Sequence, residues 1–561
     1  MQRRTFLKAV AGGSVITTLD WLRWFRSFGV PGTSKELGIA TAAAQAATEP
    51  HYLVYWFQEG GWDGYSMFNP LDTRNDATLV IPAGTLTPSP PSPPWSEQLY
   101  RPSGYGTAPN GPPTTRGNVT YGFLAADGMA SLANDIAVVS SHHGNEFHSG
   151  GRWDYHYGKY SHSLSAKRGD DERTVMQAFC EAYGASALLP HVSWHRWLAD
   201  GELSLANYPE GTGYYEKLGP PYAHTIYGKL PEDMRNRLRQ IQGLTANARD
   251  GRIRTFVDDL HRNFVADKNS ESVKAFASAV QIHQSLVGGS VTVDPNAMFT
   301  DTALRAEFAI QPADETTSAA EINGNPSRSK ETPNPNVQAM MAYELMTKGL
   351  SIAFWIESRD VRGFDTHFPR RGVFQYQNPR GQQNQLSRMK KDLWSPLLAF
   401  VARLKSTQHP VTGKTYWDHT TIVLASEMGR MMGADAGSIL TSSATDADKY
   451  SQIMDQDVCQ HWLVSSAAFL GGKVQGNRQW GRVGTATQDA IPMMPDGTLD
   501  PAFDPSTGLQ RPGTTQSPNS AVSDCGSVYA TALSLSGLDP DGLRSQGKGK
   551  NTSPPMRFIS R

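Results

Sequence analysis

Four apolar runs, at 52–57, 136–140, 351–356 and 420–425, stand out from a chain otherwise broken by glycine, proline and polar stretches. Each has the length and the β-branched or aromatic content of a strand buried on both faces. Helical periodicity fills much of the intervening chain. It is clear at 337–350, at 383–405, and in a closing helix that begins near Val528 and stops at Gly537 and Pro540. Strand, helix and strand alternate, which predicts an α/β fold: a mostly parallel sheet with helices on both faces. The stretch 230–286 reads as helical and is closed by a polar linker at 314–336. Residues 79–118 and 485–520 read as loops, the first rich in proline. The expected organisation is a targeting segment at 1–46, a first part of the core at 47–189 and a mainly helical insertion at 190–336. A second part of the core at 337–545 and a tail at 546–561 complete it.

The ends of these runs carry the candidate chemistry. The first leads into Gly60-Gly61-Trp62-Asp63-Gly64, the third towards Gly363-Phe364-Asp365-Thr366-His367, and the fourth into Ser426-Glu427-Met428-Gly429-Arg430. Open α/β sheets bind ligands outside the carboxyl ends of their strands. Asp63, Asp365, His367, Glu427 and the later His461 are therefore expected to converge on one pocket, with oxygen and imidazole donors suited to a divalent metal. Plainer roles compete with this one. Asp63 can shape a turn, Asp365 can cap a helix beside a surface His367, and Glu427 can pair with Arg430. His461 can be a core histidine. Of His142, His143 and His148, which follow the second run, one is expected to face the pocket. His156 and His162 fit an aromatic face with Tyr155, Tyr157 and Tyr160. Trp62, Trp355 and Trp462 read as core or pocket wall.

Composition narrows the classes. The chain has 561 residues, with 52 Lys+Arg against 53 Asp+Glu, so there is no basic footprint for nucleic acid. Arg3-Arg4-Thr5-Phe6-Leu7-Lys8 resembles a twin-arginine export motif. An apolar run to Leu19 follows, and then a small-residue stretch offering cleavage near Ala46. Asp20, Arg23 and Arg26 interrupt that run too soon for a stable membrane span. Without the leader the charge is about −5, ordinary for an exported domain. The expected location is periplasmic or secreted, with the twin-arginine translocase as a transient partner. Three cysteines allow one disulfide and require none. Iron–sulfur, haem, dinucleotide and phosphate-loop motifs are not found.

Taken in order, several boxes resemble a bacterial family of exported proteins of unknown function within the alkaline phosphatase and sulfatase superfamily. They are the twin-arginine leader, the Gly-Gly-x-Asp-Gly strand end, the Phe-Asp-Thr-His box and the Ser-Glu-x-Gly-Arg box. A late His461-Trp462 before Gly471-Gly472-Lys473-Val474-Gln475-Gly476, and the helix ending Gly537-Leu538-Asp539-Pro540, complete the set. The resemblance covers most of 50–150 and 340–545. It implies an alkaline-phosphatase-like core with one or two divalent ions (Zn, Mn, Mg or Ca) held by Asp63, Asp365, His367, Glu427 and His461. Four positions depart from the family pattern: Glu427 takes the place of an aspartate, Gln460 stands where an aspartate normally precedes the late His-Trp, and the other two bear on the chemistry directly. Met428 stands where a histidine often follows the acid, and Phe147 stands where Asn145-Glu146-Phe147-His148 would carry a serine nucleophile. Ser149 is the adjacent hydroxyl.

The leading expectation is an exported metal-dependent hydrolase acting on a small or polymeric anionic ester. Ser149 or a water would be the nucleophile, with His148 beside it and Arg430 (with Arg152 a further candidate) holding the anionic group. A non-catalytic exported binding or structural protein with the same fold is the alternative. A carbohydrate-processing enzyme built on two carboxylates is a third reading.

Overall fold

A computed structural model describes residues 49–58, 60–64, 67–68, 114–145, 148–158, 174–184, 187, 189–194, 225–227, 230–236, 238–239, 294–315, 333–357, 389–432, 459–484, 486–487, 489–541 and 553–561. The first apolar run becomes β1 (Tyr52–Gln58), seven residues that are all buried. Its alternate side chains feed two separate cores. Tyr52, Val54 and Trp56 enter one, and Leu53, Tyr55 and Phe57 enter the other. That two-sided burial is why the run is apolar throughout instead of alternating with polar residues.

Twelve further strands follow among the described residues. They are β2 (Trp62–Asp63), β3 (Thr114–Arg116), β4 (Val119–Tyr121), β5 (Ile136–His143), β6 (His191–Ser193), β7 (Thr225–Tyr227), β8 (Ala353–Glu357), β9 (Thr420–Ser426), β10 (Gly429–Met432), β11 (Cys459–Trp462), β12 (Val464–Gly471) and β13 (Arg478–Trp480). Among the described residues the main sheet has the order β13-β5-β12-β9-β1-β8-β6-β7. Every neighbouring pair is parallel except those of β12, which runs antiparallel between β5 and β9. The fold is thus mixed α/β with a mostly parallel sheet.

Both faces of the sheet are covered by helices. Helices α1 (Ala126–Leu132), α4 (Pro335–Thr347) and α5 (Ser395–Ser406) pack on the Trp56 face. Helices α2 (His148–Tyr157), α3 (Val175–Tyr183) and α6 (Cys525–Leu535) pack on the Tyr55 face. A π-helical turn, Met389–Trp394, leads into α5. The α4 segment reads as amphipathic in the sequence, yet it is buried almost all round. Its outer side is covered by residues 294–315. There the Phe299 N–H donates to Glu344 (2.5 Å), and Asp314 accepts from Asn334 (2.6 Å) and Asn336 (2.9 Å). The two ends of the expected polar linker are therefore joined to each other.

β6 and β7 extend the main sheet out of the segment read as a helical insertion. Residues 231–236 are helical, and the rest of the expected 230–286 helical stretch lies outside the described residues apart from 238–239. The proline-rich stretch is described only at its end, where β3 and β4 form a short hairpin. No helix among the described residues is long and apolar enough to cross a membrane.

Candidate functional site

At the carboxyl edge of the sheet, β1 ends in Gln58 and the chain reverses through Gly60 and Gly61, with φ of 101° and 78°. Only glycine adopts such values without strain. This reversal delivers Trp62 and Asp63 to β2, and three hydrogen bonds to the end of β9 fix it. Ser426 Oγ donates to the Gln58 carbonyl (2.7 Å) and accepts from the Trp62 N–H (3.1 Å), while the Gly60 N–H donates to Glu427 Oε1 (2.8 Å). Glu427 is fully buried.

The Ser-Glu-x-Gly-Arg box now has a physical reading. Ser426 staples the first strand end, Glu427 accepts from it, and Met428 is buried. Gly429 lets β10 pass beneath β12: a Cβ there would lie 2.1 Å from the Val464 carbonyl oxygen and 3.1 Å from the Trp462 ring. A small sheet of order β11-β10-β2 results. Its pairing puts Asp63 opposite Arg430 and Arg430 opposite His461, so three residues from distant parts of the chain share one cross-strand row.

α2 closes on the same edge. A Cβ on Gly151 would lie 2.7 Å from the Glu427 carbonyl oxygen and 2.8 Å from its Cβ, and one on Gly144 would lie 2.8 Å from that same oxygen. The first turn of α2, which contains His148 and Ser149, therefore starts beside Glu427. Two buried polar contacts anchor the helix to the chain after β5. Asn145 Nδ2 donates to Asp154 (2.9 Å), and the His142 ring is hydrogen-bonded to the Tyr155 hydroxyl. Burial lowers the His142 pKa to about 3, so its imidazole is neutral, and pushes the Tyr155 phenol well above its usual range.

The described parts of the site include residues that the sequence reading passed over. β8 delivers Glu357 at its end, opposite Phe57, nearly buried and accepting from the Trp355 indole (3.3 Å). Gln338 of α4 holds its backbone at both N–H and C=O (3.1 and 2.9 Å). The sequence signal for Glu357 is an acid directly following the apolar run, ahead of the box around Asp365. His142 and Tyr155 were seen without their mutual bond, and Asn145 and Asp154 were not assigned to the site.

His156 stacks on Trp355 with ring centroids 3.8 Å apart and an angle of 13°, and Tyr155 packs edge-on to Phe57 at 5.5 Å. Both belong to an aromatic face, as expected for His156; His162 and Tyr160 lie outside the described residues. Trp62 and Trp355 are fully buried and Trp462 nearly so. His143 pairs with Asp489 at 2.7 Å.

Asp365 and His367 lie outside the described residues, as do the side chains of Asp63, His148, Ser149, Arg152, Arg430 and His461. Among the described residues no group of three or more His, Cys, Asp or Glu side chains is gathered so as to hold a metal ion. No family model matches the chain, and neither a curated protein nor a solved structure does.

Proposed function

We propose that the protein is an exported metal-dependent hydrolase of the phosphatase/sulfatase type, with an alkaline-phosphatase-like core, acting on an anionic ester. The observation that carries this reading is the row Asp63–Arg430–His461 beside the buried Glu427, at the edge where an α/β sheet binds ligands. The donor set suits a divalent cation: two carboxylates and an imidazole, one carboxylate already held by a backbone N–H. Asp63, Glu427 and His461 would hold the ion, with Asp365 and His367 completing the set by resemblance. Such an ion supplies charge to the ester oxygen and lowers the pKa of a nearby hydroxyl.

The chain's own residues have distinct parts in this reaction. Arg430 holds the anionic group through paired hydrogen bonds. Ser149, in the first turn of α2, would serve as the nucleophile, on a helix anchored by the Asn145–Asp154 and His142–Tyr155 contacts. The buried Met428, where the resembling family often has histidine, favours a second reading as a non-catalytic exported binding protein.

Two measurements on the folded, exported protein separate these readings. One is elemental analysis, and the other is hydrolysis of aryl phosphates and aryl sulfates with added Zn, Mn, Mg or Ca. The hydrolase reading predicts bound metal and turnover, both lost in Asp63→Ala and Glu427→Gln. Metal without turnover across the panel would establish the binding protein. Full metal content in both variants would overturn the ligand assignment.

A further inference from the structure

A groove on the flank of the sheet, away from the carboxyl edge, has the chemistry of a saccharide subsite. β13 is an edge strand, and its side chains alternate. Gln479 turns inward to Ser140 (2.6 Å) and Thr120 (3.0 Å), leaving Arg478 and Trp480 on the other side. These two line a surface cavity of about 550 Å³ together with Arg557 and Phe558 of the C-terminal turn and with Asp496, whose carboxylate accepts from the Thr498 N–H (3.0 Å) and hydroxyl (2.6 Å). That volume lies within the usual range for small-ligand sites. β13 pairs with Ala137 and Val139 of β5, well before the strand reaches His143, so the groove is separate from the candidate hydrolytic site.

The lining is specific in kind. The Trp480 and Phe558 rings pack against each other, with centroids 5.0 Å apart and tilted by 45°, and each stays partly exposed. Gly497, at φ 85°, seats the 494–497 turn against both rings. A Cβ there would lie 2.5 Å from Trp480 Cδ1 and 2.9 Å from Phe558 Cγ. Arg478 is exposed and makes no ion pair among the described residues. Among the described residues Arg557 pairs with the half-exposed Asp541 (2.8 Å), a surface contact that a ligand anion can replace. Gln475 and Ser560 add neutral hydrogen-bonding groups.

We infer that this groove binds an acidic oligosaccharide, one that packs a sugar ring on the exposed part of the Trp480–Phe558 pair while a carboxylate or sulfate meets Arg478 and Arg557. Guanidinium groups match both anions through paired hydrogen bonds. The electron-rich ring faces attract the polarised C–H groups of a sugar. A chain of nearly balanced charge argues against nucleic acid as the occupant. The inference does not depend on the hydrolase reading, because binding is measured without turnover.

Calorimetric titration of the whole folded protein tests it, using a galacturonate hexamer, a sulfated galactose hexamer, a neutral galactose hexamer and a six-nucleotide single-stranded DNA. At least one acidic hexamer should bind, and stronger salt should weaken it. Arg478→Ala and Arg557→Ala should each weaken it about tenfold or more. Arg511→Ala, an exposed arginine outside the groove, should bind like the parent. Which hexamer binds identifies the anion. The inference is overturned if neither acidic hexamer binds, if the neutral hexamer or the DNA binds equally well, or if both groove variants retain parental affinity.

Discussion

Replacing Gly429 by alanine tests the mechanical basis of the candidate site. A Cβ at this position would lie 2.1 Å from the Val464 carbonyl oxygen, where ordinary contact needs 3.4 Å or more. The obstacle is backbone, with the Trp462 ring close behind at 3.1 Å, so no side-chain rotation relieves it. β10 and β12 must separate by about 1.3 Å, and overpacking of this kind costs about 3 kcal/mol, at the upper end of the usual range. Gly413→Ala is a suitable comparison. It has open space around it and a φ of 69°, so its cost is backbone strain alone, about 1 kcal/mol. Urea denaturation followed by circular dichroism should rank Gly429→Ala well below Gly413→Ala, and Gly413→Ala below the parent. A Gly429→Ala protein within about 0.5 kcal/mol of the parent would refute the close β10–β12 approach that sets the Asp63–Arg430–His461 row.

Two further outcomes follow from the buried polar groups. His142 and His191 are held near pKa 3 by burial, so the unfolded chain takes up two protons near pH 6.5 that the folded protein refuses. Stability should therefore be complete above pH 6.5 and fall on acidification, by about 1.4 kcal/mol per pH unit for each histidine. A flat profile between pH 7 and 5 in equilibrium denaturation contradicts that assignment. Tyr155→Phe removes the hydroxyl that meets His142 and leaves a buried ring nitrogen without its partner, which should cost about 1–3 kcal/mol in the same assay. An unchanged midpoint for this variant would show that the contact does not anchor α2.

The strands of the core were legible because parallel, doubly buried strands must be apolar at every position. Thus 52–57 and 420–425 match β1 and β9 to within one residue. β12 was not read from the sequence. It is a buried strand of the same kind, but Ser465, Ser466 and two alanines dilute its signal, and it directly follows the His461-Trp462 motif that drew attention. β6 and β7, at three residues each, are too short for periodicity to register. α2 was hidden by its two glycines, which lower helix propensity. One of them, Gly151, is needed for the approach to Glu427. For the site, the sequence marked acids at strand ends, and the register places Asp63, Arg430 and His461 in one row. Glu357 carries the same signal, an acid directly after an apolar run, whereas the roles of Asn145 and Asp154 depend on their contact with each other across a turn. Asp365 and His367 belong to the part of the expected set that lies outside the described residues.

Anomalous diffraction from crystals of the folded protein, recorded above the absorption edges of zinc and manganese and at a long wavelength for calcium, tests the proposed metal site most directly. A single strong peak, or a close pair, should lie within about 2.5 Å of carboxylate or imidazole atoms of Asp63, Glu427 and His461. A map with no peak at that edge, while the protein retains metal elsewhere, would contradict it.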